Sequence, residues 1–435
     1  MDKLRILQLS DIHNISGPKA MDPFKNMRHE LIKDIKGYCE ANQCSFDAIL
    51  ICGDIAFSGA EDEYDKSRKF ISKLCDTVGC KSYQVYVVPG NHDKERKEGK
   101  PALRSLLNWG MVHVDDEEKM FASLINEEPN LFTNLYLPFK NYMEFSRNFE
   151  NSEPIMEKCI EDSNIPNLKI DLDRDKMFWQ TELDNDFHGY NVNIIGLNSA
   201  LSCDDNDWSE DWKPTGHKMY LSVFAHNNLE LSSDKQINIL MMHHPLKFIV
   251  NGEKLSEKFD KQFLLQFYGH VHLPGSLQSR DRGAVRVFSG AMQPPKCYNE
   301  EDKKKYIPIY NIVELDYYED NGSFLEVNLI VNKWNGSTFG CYNEQSKQYT
   351  IELPCAPNRW KEQRNEKKVI LPDGVSEREI KISFHDQLNH KGIIEQMYKG
   401  LYDTSKNDYH NCRIFLAKVD EDKRWVDLWN LLKTK

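Results

Sequence analysis

Five short apolar segments of this chain each run directly into a small group of aspartate, asparagine or histidine residues. The groups that follow them are Asp11-Ile12-His13, Gly53-Asp54, Gly90-Asn91-His92-Asp93, His243-His244-Pro245 and Gly269-His270-Val271-His272. The length and near-continuous apolarity of the segments predict strands that are covered on both faces. Because ligands bind at the carboxyl ends of strands in open α/β sheets, the polar side chains are expected to converge on one site. The glycines at 53, 90 and 269 are expected to allow the sharp turns that aim them.

Helical segments separate the apolar strands, and this alternation predicts an α/β fold. The predicted strands are Leu4–Leu9, Ala48–Cys52, Gln84–Val88, Val192–Leu197, Ile237–Met242, Leu264–Tyr268 and Val285–Ser289. Helical patterns fall between them, for example at Phe24–Glu40 and Glu61–Cys75. Residues 309–353 differ, because Asn-Gly pairs separate β-rich stretches there and indicate an antiparallel meander.

The domain organisation follows from the length and from where the polar groups fall. A chain of 435 residues is long enough for two or three domains, or for one large domain with insertions. Residues 1–355 contain all five groups and are assigned to one catalytic domain. Within it, about residues 104–178 are expected to form a mostly helical insertion. After a proline-rich break, residues 356–435 are predicted to form a small appended module at the C-terminus.

The polar groups offer nitrogen and oxygen donors and no cysteine, which restricts the metals they suit. Imidazole, carboxylate and amide donors together favour Mn, Fe, Zn or Co over Ca or Mg alone. The groups hold too many donors for one ion but enough for two ions that share a carboxylate. Two ions about 3.5–4 Å apart can clamp the attacking and leaving oxygens of a phosphoryl displacement.

The ordered set of five groups resembles the calcineurin-like metallophosphoesterase superfamily over about residues 1–103 and 185–353. The resemblance implies an αββα sandwich of two sheets with a dinuclear site at its edge. One metal would take Asp11, His13, Asp54 and His272. The other would take Asp54, Asn91, His243 and His270, with Asp54 bridging. In the fourth group the resemblance makes His243 the ligand and leaves His244 to orient the site, although a shift of one residue would exchange the two.

The resemblance also implies roles beside the phosphate. His92 is the expected catalytic histidine that protonates or stabilises the leaving oxygen, and Asp93 is expected to hydrogen-bond the other ring nitrogen of His92. Asn91, His92 and His244 are the expected substrate contacts. The expected reaction is attack of a metal-bridging hydroxide on phosphorus, in line with the leaving group and without a covalent enzyme intermediate. Manganese is expected to support it in vitro.

The substrate class is less constrained than the chemistry. The third and fourth groups look most like those of bacterial phosphodiesterases that act on cyclic nucleotides or glycerophosphodiesters, so a nucleotide-type phosphodiester is expected. The fifth group is also similar to the nuclease branch, so a Mn-dependent DNA nuclease is one alternative. The formal net charge of −12 repels nucleic acid at long range, which weakens the nuclease alternative without excluding it.

A second alternative is an effector or scaffold that is recruited by a protein partner through residues 356–435. The complete set of expected ligands argues against an inactive scaffold. The chain has no apolar run of roughly 18 residues, so no membrane span is expected. Its 11 cysteines are scattered and form no CxxC pair, which is typical of reduced thiols and predicts a cytoplasmic location.

Overall fold

The computed structural model describes most of the first 353 residues and part of the remainder. The described residues are 3–15, 24–95, 97–98, 137–146, 149, 153–154, 178–183, 187–204, 207, 216, 218–221, 231, 235–250, 252–279, 283–293, 307–320, 322–353, 371, 375, 380, 383–384, 387, 389–402, 404, 411–412, 415–416, 418–419, 422 and 424–433. The chain divides into two compact units, Met1–Cys355 and Ala356–Lys435. Most of the insertion expected at about 104–178 lies outside the described residues.

Fourteen strands and six α-helices are found in the described parts. The strands are β1 (Lys3–Leu9), β2 (Ala48–Cys52), β3 (Val85–Val88), β4 (Glu153–Pro154), β5 (Phe178–Glu182), β6 (Asn191–Leu197), β7 (Gln236–Met242), β8 (Leu265–Tyr268), β9 (Gly275–Gln278), β10 (Val285–Phe288), β11 (Ile309–Glu319), β12 (Ser323–Trp334), β13 (Phe339–Cys341) and β14 (Lys347–Leu353). The helices are α1 (Lys25–Asn42), α2 (Glu61–Val78), α3 (Lys140–Ser146), α4 (Gly252–Gln262), α5 (His390–Met397) and α6 (Trp425–Lys433).

The strands form two mixed sheets of seven strands each. In the first sheet β1, β2 and β3 run parallel, and the antiparallel meander β11, β12 and β14 continues it from β1. In the second sheet β6, β7, β8 and β10 run parallel, and β5 and β9 lie antiparallel at either side of them. The parallel strands of each sheet therefore end together, as the sequence predicts.

The two sheets pack against each other and helices cover their outer faces. Trp179 of β5 reaches across to the first sheet, where its indole Nε1 donates to the carbonyl of Val87 at 3.0 Å and its ring stacks on Tyr86. Leu31 of α1 lies in one buried cluster with Leu7 of β1. The αββα sandwich implied by the resemblance is therefore confirmed.

A polar cluster joins β1, α1 and β11 at the end of the first sheet away from the polar groups. Glu314 of β11 accepts hydrogen bonds from the Tyr38 hydroxyl at 2.8 Å and from Arg5 Nε at 3.1 Å. Burial would raise the pKa of Glu314, but these two hydrogen bonds and the charge of Lys3 outweigh it and lower the pKa below its ordinary value of 4.5. The carboxylate is thus held ionised by the fold.

The predicted elements are present with ends shifted by at most three residues, and the meander is confirmed. The short strand β5 is not predicted, because only its first two residues are apolar. Within the expected helical insertion, α3 is helical, whereas β4 pairs with β5 and extends the second sheet. Among the described residues, no helix combines the length and apolarity that a membrane crossing requires.

The second unit has an apolar core of its own. Trp425 and Leu428 of α6 are buried together with Ile393 of α5, with Phe384, which precedes α5, and with Phe415, which lies between the two helices. A cluster of this kind is what a small helical module needs in order to be stable.

Candidate metal centre

The carboxyl ends of five parallel strands deliver the five polar groups to one place. Those of β1, β2 and β3 come from the first sheet, and those of β7 and β8 come from the second. Backbone hydrogen bonds lock neighbouring loops in register: Asp11 N donates to the Gly53 carbonyl at 3.0 Å, and Gly269 N donates to the His243 carbonyl at 2.9 Å. The expected convergence of these loops is what the fold produces.

Many of the expected ligands adopt a backbone conformation that is unfavourable for residues other than glycine. The residues with positive φ include Asp11 (53°), His13 (47°), Asp54 (53°), His270 (68°) and His272 (55°). Left-handed backbone costs an L-residue roughly 1–2 kcal/mol, so the fold stores strain at each of these positions. Strain concentrated on one group of side chains is typical of a functional site.

The glycines of the motifs do only part of what the sequence predicts for them. Gly53 has a φ of 84° and makes a sharp turn. Gly90 has a φ of −108°, and its role is close approach, since a Cβ there would lie 2.1 Å from Asp54 Oδ1. At Gly269 a Cβ would lie 2.1 Å from the Ser10 hydroxyl. The sharp turns at the other loops are therefore made by the polar residues themselves.

The first group of donors surrounds the carboxylate of Asp11. His272 Nε2 lies 3.0 Å from Asp11 Oδ1, and His13 Nε2 lies 3.7 Å from the same oxygen. His13 Nε2 is also 3.7 Å from Asp54 Oδ2. Atoms that share one ion at about 2.0–2.2 Å are separated by roughly 3–4 Å, so these spacings fit a common cation.

The second group of donors surrounds Asn91. Asn91 Oδ1 lies 3.2 Å from His243 Nε2 and 3.1 Å from His270 Nδ1. His243 Nε2 is also 3.4 Å from Asp54 Oδ2. Asp54 therefore faces both groups of donors, as a bridging ligand must.

The hydrogen bonding of His243 tests whether a cation fits here. Its Nδ1 lies 2.8 Å from the Cys52 carbonyl, which only accepts, so Nδ1 carries the hydrogen. In the neutral ring Nε2 then presents a lone pair to the oxygens of Asp54 and Asn91. Lone pairs that face each other repel unless a cation or a proton lies between them, and a backbone-oriented imidazole of this kind is typical of metal-binding histidines.

The pKa values of the site reflect the competition between burial, which disfavours charge, and the attraction between carboxylates and imidazoles. Burial opposes protonation of His243, but the carboxylates of Asp54 and Asp11 outweigh it and raise its pKa to about 9. Burial would raise the pKa of Asp11, yet His272 and His243 lower it to about 2. Burial lowers the pKa of His270 to about 3. The carboxylates are thus held ionised, and without a metal the site draws a proton to His243.

His244 points away from the carboxylates. Its Nδ1 lies 2.9 Å from the Ser199 hydroxyl and its Nε2 lies 3.7 Å from the Cys203 thiol. Its ring packs against that of His270, with centroids 4.4 Å apart. A ring nitrogen of His244 also lies within 4.8 Å of donor atoms of His243 and His270. The nitrogens of His244 nevertheless face Ser199 and Cys203, whereas Nε2 of His243 faces Asp54 and Asn91, which favours His243 as the ligand.

His92 and Asp93 depart from the arrangement that the resemblance implies. His92 Nδ1 lies 2.7 Å from the Phe57 carbonyl, so the backbone, and not Asp93, fixes the tautomer of His92. The Asp93 carboxylate instead accepts from the backbone N–H groups of Ile55, Ala56 and Gly90. The expected hydrogen bond between Asp93 and His92 is therefore wrong. Both carboxylate oxygens of Asp93 already accept hydrogen bonds from the backbone N–H groups near Asp54 and from Gly90.

Asp93 therefore holds the loop that carries Asp54. The Tyr64 hydroxyl donates to it as well, at 3.0 Å. Burial and the neighbouring charge of Asp54 raise the pKa of Asp93 to about 7, although the hydrogen bonds from Ala56 and Gly90 work in the opposite direction. Asp93 is fully buried, and its carboxylate stabilises the loop that carries Asp54.

Two residues of the site are missed by the sequence analysis. Ser199 lies two residues after the end of β6, next to Asn198, and the rule used for the other strand ends would have singled out this Asn198-Ser199 pair. Lys94 follows Asp93, and its buried ammonium donates to the carbonyls of Ala200, Leu201 and Cys203 at 3.2, 3.1 and 2.5 Å. Lys94 thereby connects the third polar group to the loop that contains Ser199. No local sequence signal predicts this connection.

A site of buried carboxylate, amide and imidazole donors at the strand ends of such a sandwich is typical of metal-dependent phosphoesterases. Residues 4–274 match the family described as calcineurin-like phosphoesterase. The chain belongs to this family, which confirms the resemblance drawn from the five polar groups.

The chain is also similar to a bacterial relative and, more distantly, to solved structures. The chain is 25% identical over 439 residues to the "uncharacterized metallophosphoesterase-like protein YydB" of Bacillus subtilis, covering 98% of this chain and 77% of that protein. Purple acid phosphatase PPD1 from yellow lupin seeds is 13% identical with a TM-score of 0.40, over 80% of this chain and 54% of that one. Calcineurin-like phosphoesterase YfkN from Bacillus subtilis is 12% identical with a TM-score of 0.27, over 81% and 91%.

Proposed function

We propose that the chain hydrolyses phosphodiesters of the nucleotide class with two divalent cations, for which manganese serves in vitro. The observation that carries this proposal is the position of Asp54. Its Oδ2 lies 3.4 Å from His243 Nε2 and 3.7 Å from His13 Nε2, so one carboxylate serves both groups of donors. When bound, the cations would supply Lewis acidity toward the phosphoryl oxygens and a hydroxide nucleophile near neutral pH.

The ligands follow from the two donor groups. Asp11, His13, Asp54 and His272 would hold one cation. Asp54, Asn91, His243 and His270 would hold the other. The backbone keeps these side chains in place before anything binds, since Asp54 Oδ1 accepts from His92 N at 2.8 Å and Asp11 Oδ2 accepts from His270 N at 3.2 Å.

His92 is the proposed proton donor to the leaving oxygen. Its Nδ1–H is directed at the Phe57 carbonyl, so Nε2 is the nitrogen proposed to deliver a proton to the leaving oxygen. Its ring lies against that of His13, with centroids 4.7 Å apart, which places it at the edge of the first donor group. A general acid here can meet the leaving oxygen without a covalent intermediate.

A substrate panel tests the reaction class. Purified protein with added Mn²⁺ is assayed on a monoester dye, a diester dye, cyclic nucleotides, and single- and double-stranded DNA, with Asp54→Asn as the blank. We expect turnover of the diester dye and a cyclic nucleotide and none in the blank. Activity on the monoester alone would contradict the diester preference, and preference for DNA would favour the Mn-dependent nuclease instead.

A second variant separates proton transfer from metal binding. His92→Ala is expected to lower turnover while the bound metal, measured by elemental analysis, stays at the wild-type level. A fall in metal content would instead make His92 part of the metal site, beside His13 and Asp54, with which it forms a third group of donors within 4.8 Å of one another.

Residues 356–435 are the proposed attachment point for a protein partner. Their own apolar core supports a module that folds as a unit. Its removal is then expected to leave turnover of the diester dye unchanged, whereas a loss would tie the module to catalysis. The proposed location is the cytoplasm, which is supported by the free thiols of all eight described cysteines.

A further inference from the structure

An exposed phenylalanine stands at the rim of the candidate metal centre. Three large apolar side chains are exposed among the described residues: Phe57 at 50%, Leu277 at 42% and Tyr318 at 40%. Of these, Phe57 belongs to the loop that follows Asp54. An aromatic ring that is left half in water beside a catalytic group is an incomplete contact, since aromatic rings gain most from a second ring or an apolar surface.

The backbone of the loop that carries Phe57 is fixed by hydrogen bonds, so the exposed ring has a defined position. The buried carboxylate of Glu63 accepts from the backbone N–H groups of Phe57, Ser58 and Ala60 at 3.2, 2.8 and 3.2 Å. Phe57 N also reaches the Asn14 carbonyl at 3.1 Å. A ligand that contacts this ring therefore meets a surface whose backbone is already ordered, which lowers the entropic cost of binding.

The position of the ring shows which part of a substrate would meet it. Its centroid lies 5.3 Å from that of His92, and the two planes are inclined by 31°. It lies 6.1 Å from the ring of His13. Because His92 is the proposed proton donor to the leaving oxygen, the leaving group has to pass beside Phe57.

The chemistry of the surroundings selects among groups that bind an aromatic face. A cationic headgroup is disfavoured, because two bound divalent cations would make this rim locally positive. A polyol has no flat face to stack. A nucleobase is uncharged and flat, and it stacks on exposed protein aromatics in a manner that tolerates different bases.

We propose that Phe57 is a stacking platform for a nucleobase in the leaving group, so that the site prefers nucleoside phosphodiesters to glycerophosphodiesters. This inference rests on the proposed function and sharpens its substrate class. Phe57 is then a specificity-determining residue. The preference for nucleosides applies only to leaving groups that are long enough to place a base on the ring of Phe57.

Kinetics with Phe57→Ala, Phe57→Leu and Phe57→Tyr test the proposal. The substrates are a nucleoside phosphodiester, glycerophosphoglycerol and glycerophosphocholine. We expect Phe57→Ala to lower the kcat/KM ratio of nucleoside to glycerol diester by about tenfold, mainly through KM, as loss of one base stack predicts. Phe57→Tyr should keep the wild-type ratio, and Phe57→Leu should fall between.

Tyr318 provides the matched control. It is the other exposed aromatic ring among the described residues, and it lies at the far end of the first sheet, since Asp316 pairs with Lys3 at the start of β1. Tyr318→Ala should leave the substrate ratio unchanged. An equal loss on all three diesters in Phe57→Ala would mean that the ring only supports His92, and a selective loss on glycerophosphocholine would mean a cation site; either result overturns the proposal.

A binding measurement separates this inference from the proposed function. Calorimetry with Mn²⁺ compares adenosine monophosphate with glycerol 3-phosphate, and it needs no turnover. If the wild type hydrolyses no diester, the proposed function fails. In that case a selective loss of about tenfold for adenosine monophosphate in Phe57→Ala would still support the platform, and the absence of a selective loss would refute it.

Discussion

Two adjacent buried histidines allow the metal assignment to be tested with matched variants. Asparagine places an amide N–H near the position of the imidazole Nδ1 but has nothing at the position of Nε2. His243→Asn therefore keeps a donor for the Cys52 carbonyl and deletes the nitrogen that faces Asp54 and Asn91. His244→Asn keeps a partner for Ser199 and deletes a nitrogen that faces the Cys203 thiol.

The size of the effect follows from linkage between metal binding and stability. Loss of a group that merely orients a ligand weakens metal binding by about 10–100-fold, so loss of a ligand should weaken it by at least about 100-fold. At a Mn²⁺ concentration of about 1,000 times the Kd, one site stabilises the fold by about 4.1 kcal/mol, and a site weakened 100-fold stabilises it by only about 1.4 kcal/mol. The difference of about 2.7 kcal/mol corresponds to about 4 °C in Tm, because the unfolding entropy of a unit of 355 residues is about 0.7 kcal/mol per kelvin.

The assay is thermal unfolding with and without Mn²⁺, together with the metal content of each variant. We expect the Mn²⁺-dependent rise in Tm to shrink by about 4 °C in His243→Asn and by about 2 °C or less in His244→Asn, because loss of an orienting group whose Ser199 partner is kept should weaken metal binding by at most about tenfold. The metal-free Tm of each variant serves as its own reference, which removes packing effects. A reversed pattern would assign the ligand to His244, and two unchanged responses would refute the dinuclear site.

Three further changes test the surrounding structure. Gly90→Ala would place its Cβ 2.1 Å from Asp54 Oδ1, so we expect urea unfolding to show a loss of about 2 kcal/mol or more in stability, together with a loss of bound metal. The control Gly37→Ala has nothing within 4 Å of its Cβ and should gain about 0.5–1 kcal/mol in stability. Lys94→Met removes an ammonium with three carbonyl partners and should destabilise the fold by about 3 kcal/mol in the same assay. The hydrogen-bond partners of Glu314 lower the pKa of its carboxyl group. The stability that this carboxylate contributes is therefore fully present above pH 4.5 and is lost as the pH falls through the lowered pKa. Glu314→Gln should therefore cost about 2 kcal/mol at neutral pH and remove that part of the acid sensitivity, and an unchanged acid profile would contradict this.

The strands and the gathering of the site were predictable from the sequence because both rest on local patterns. An apolar run of four to seven residues identifies a buried strand, and the parallel order places its carboxyl end beside the others. The pattern was sufficient for Asp11, Asp54 and His243 to be expected in one place. The same pattern also applies to the pair Asn198-Ser199 after β6.

The partners of individual polar atoms were not predictable, because they depend on the three-dimensional path of the backbone. Asp93 binds the N–H groups of Ile55 and Ala56, which lie far from it in the sequence. His92 finds the Phe57 carbonyl for the same reason. Sequence spacing indicates which residue types reach a site, but it does not show which of two acceptors a histidine will face.

The backbone strain gives the five polar groups a physical reason for their position. The extended backbone of a strand continues along the strand axis, whereas the left-handed conformation of Asp11, Asp54 and His270 turns the chain away from that axis at the sheet edge. That turn lets ligands from two separate sheets approach within about 3–4 Å of one another, as a shared ion requires. The strain of each turn must be offset by the interactions of the folded state, and a cation bound between the carboxylates is the strongest interaction available at this position. The metal-free protein should accordingly be strained at its catalytic edge, and metal binding and folding stability should change together.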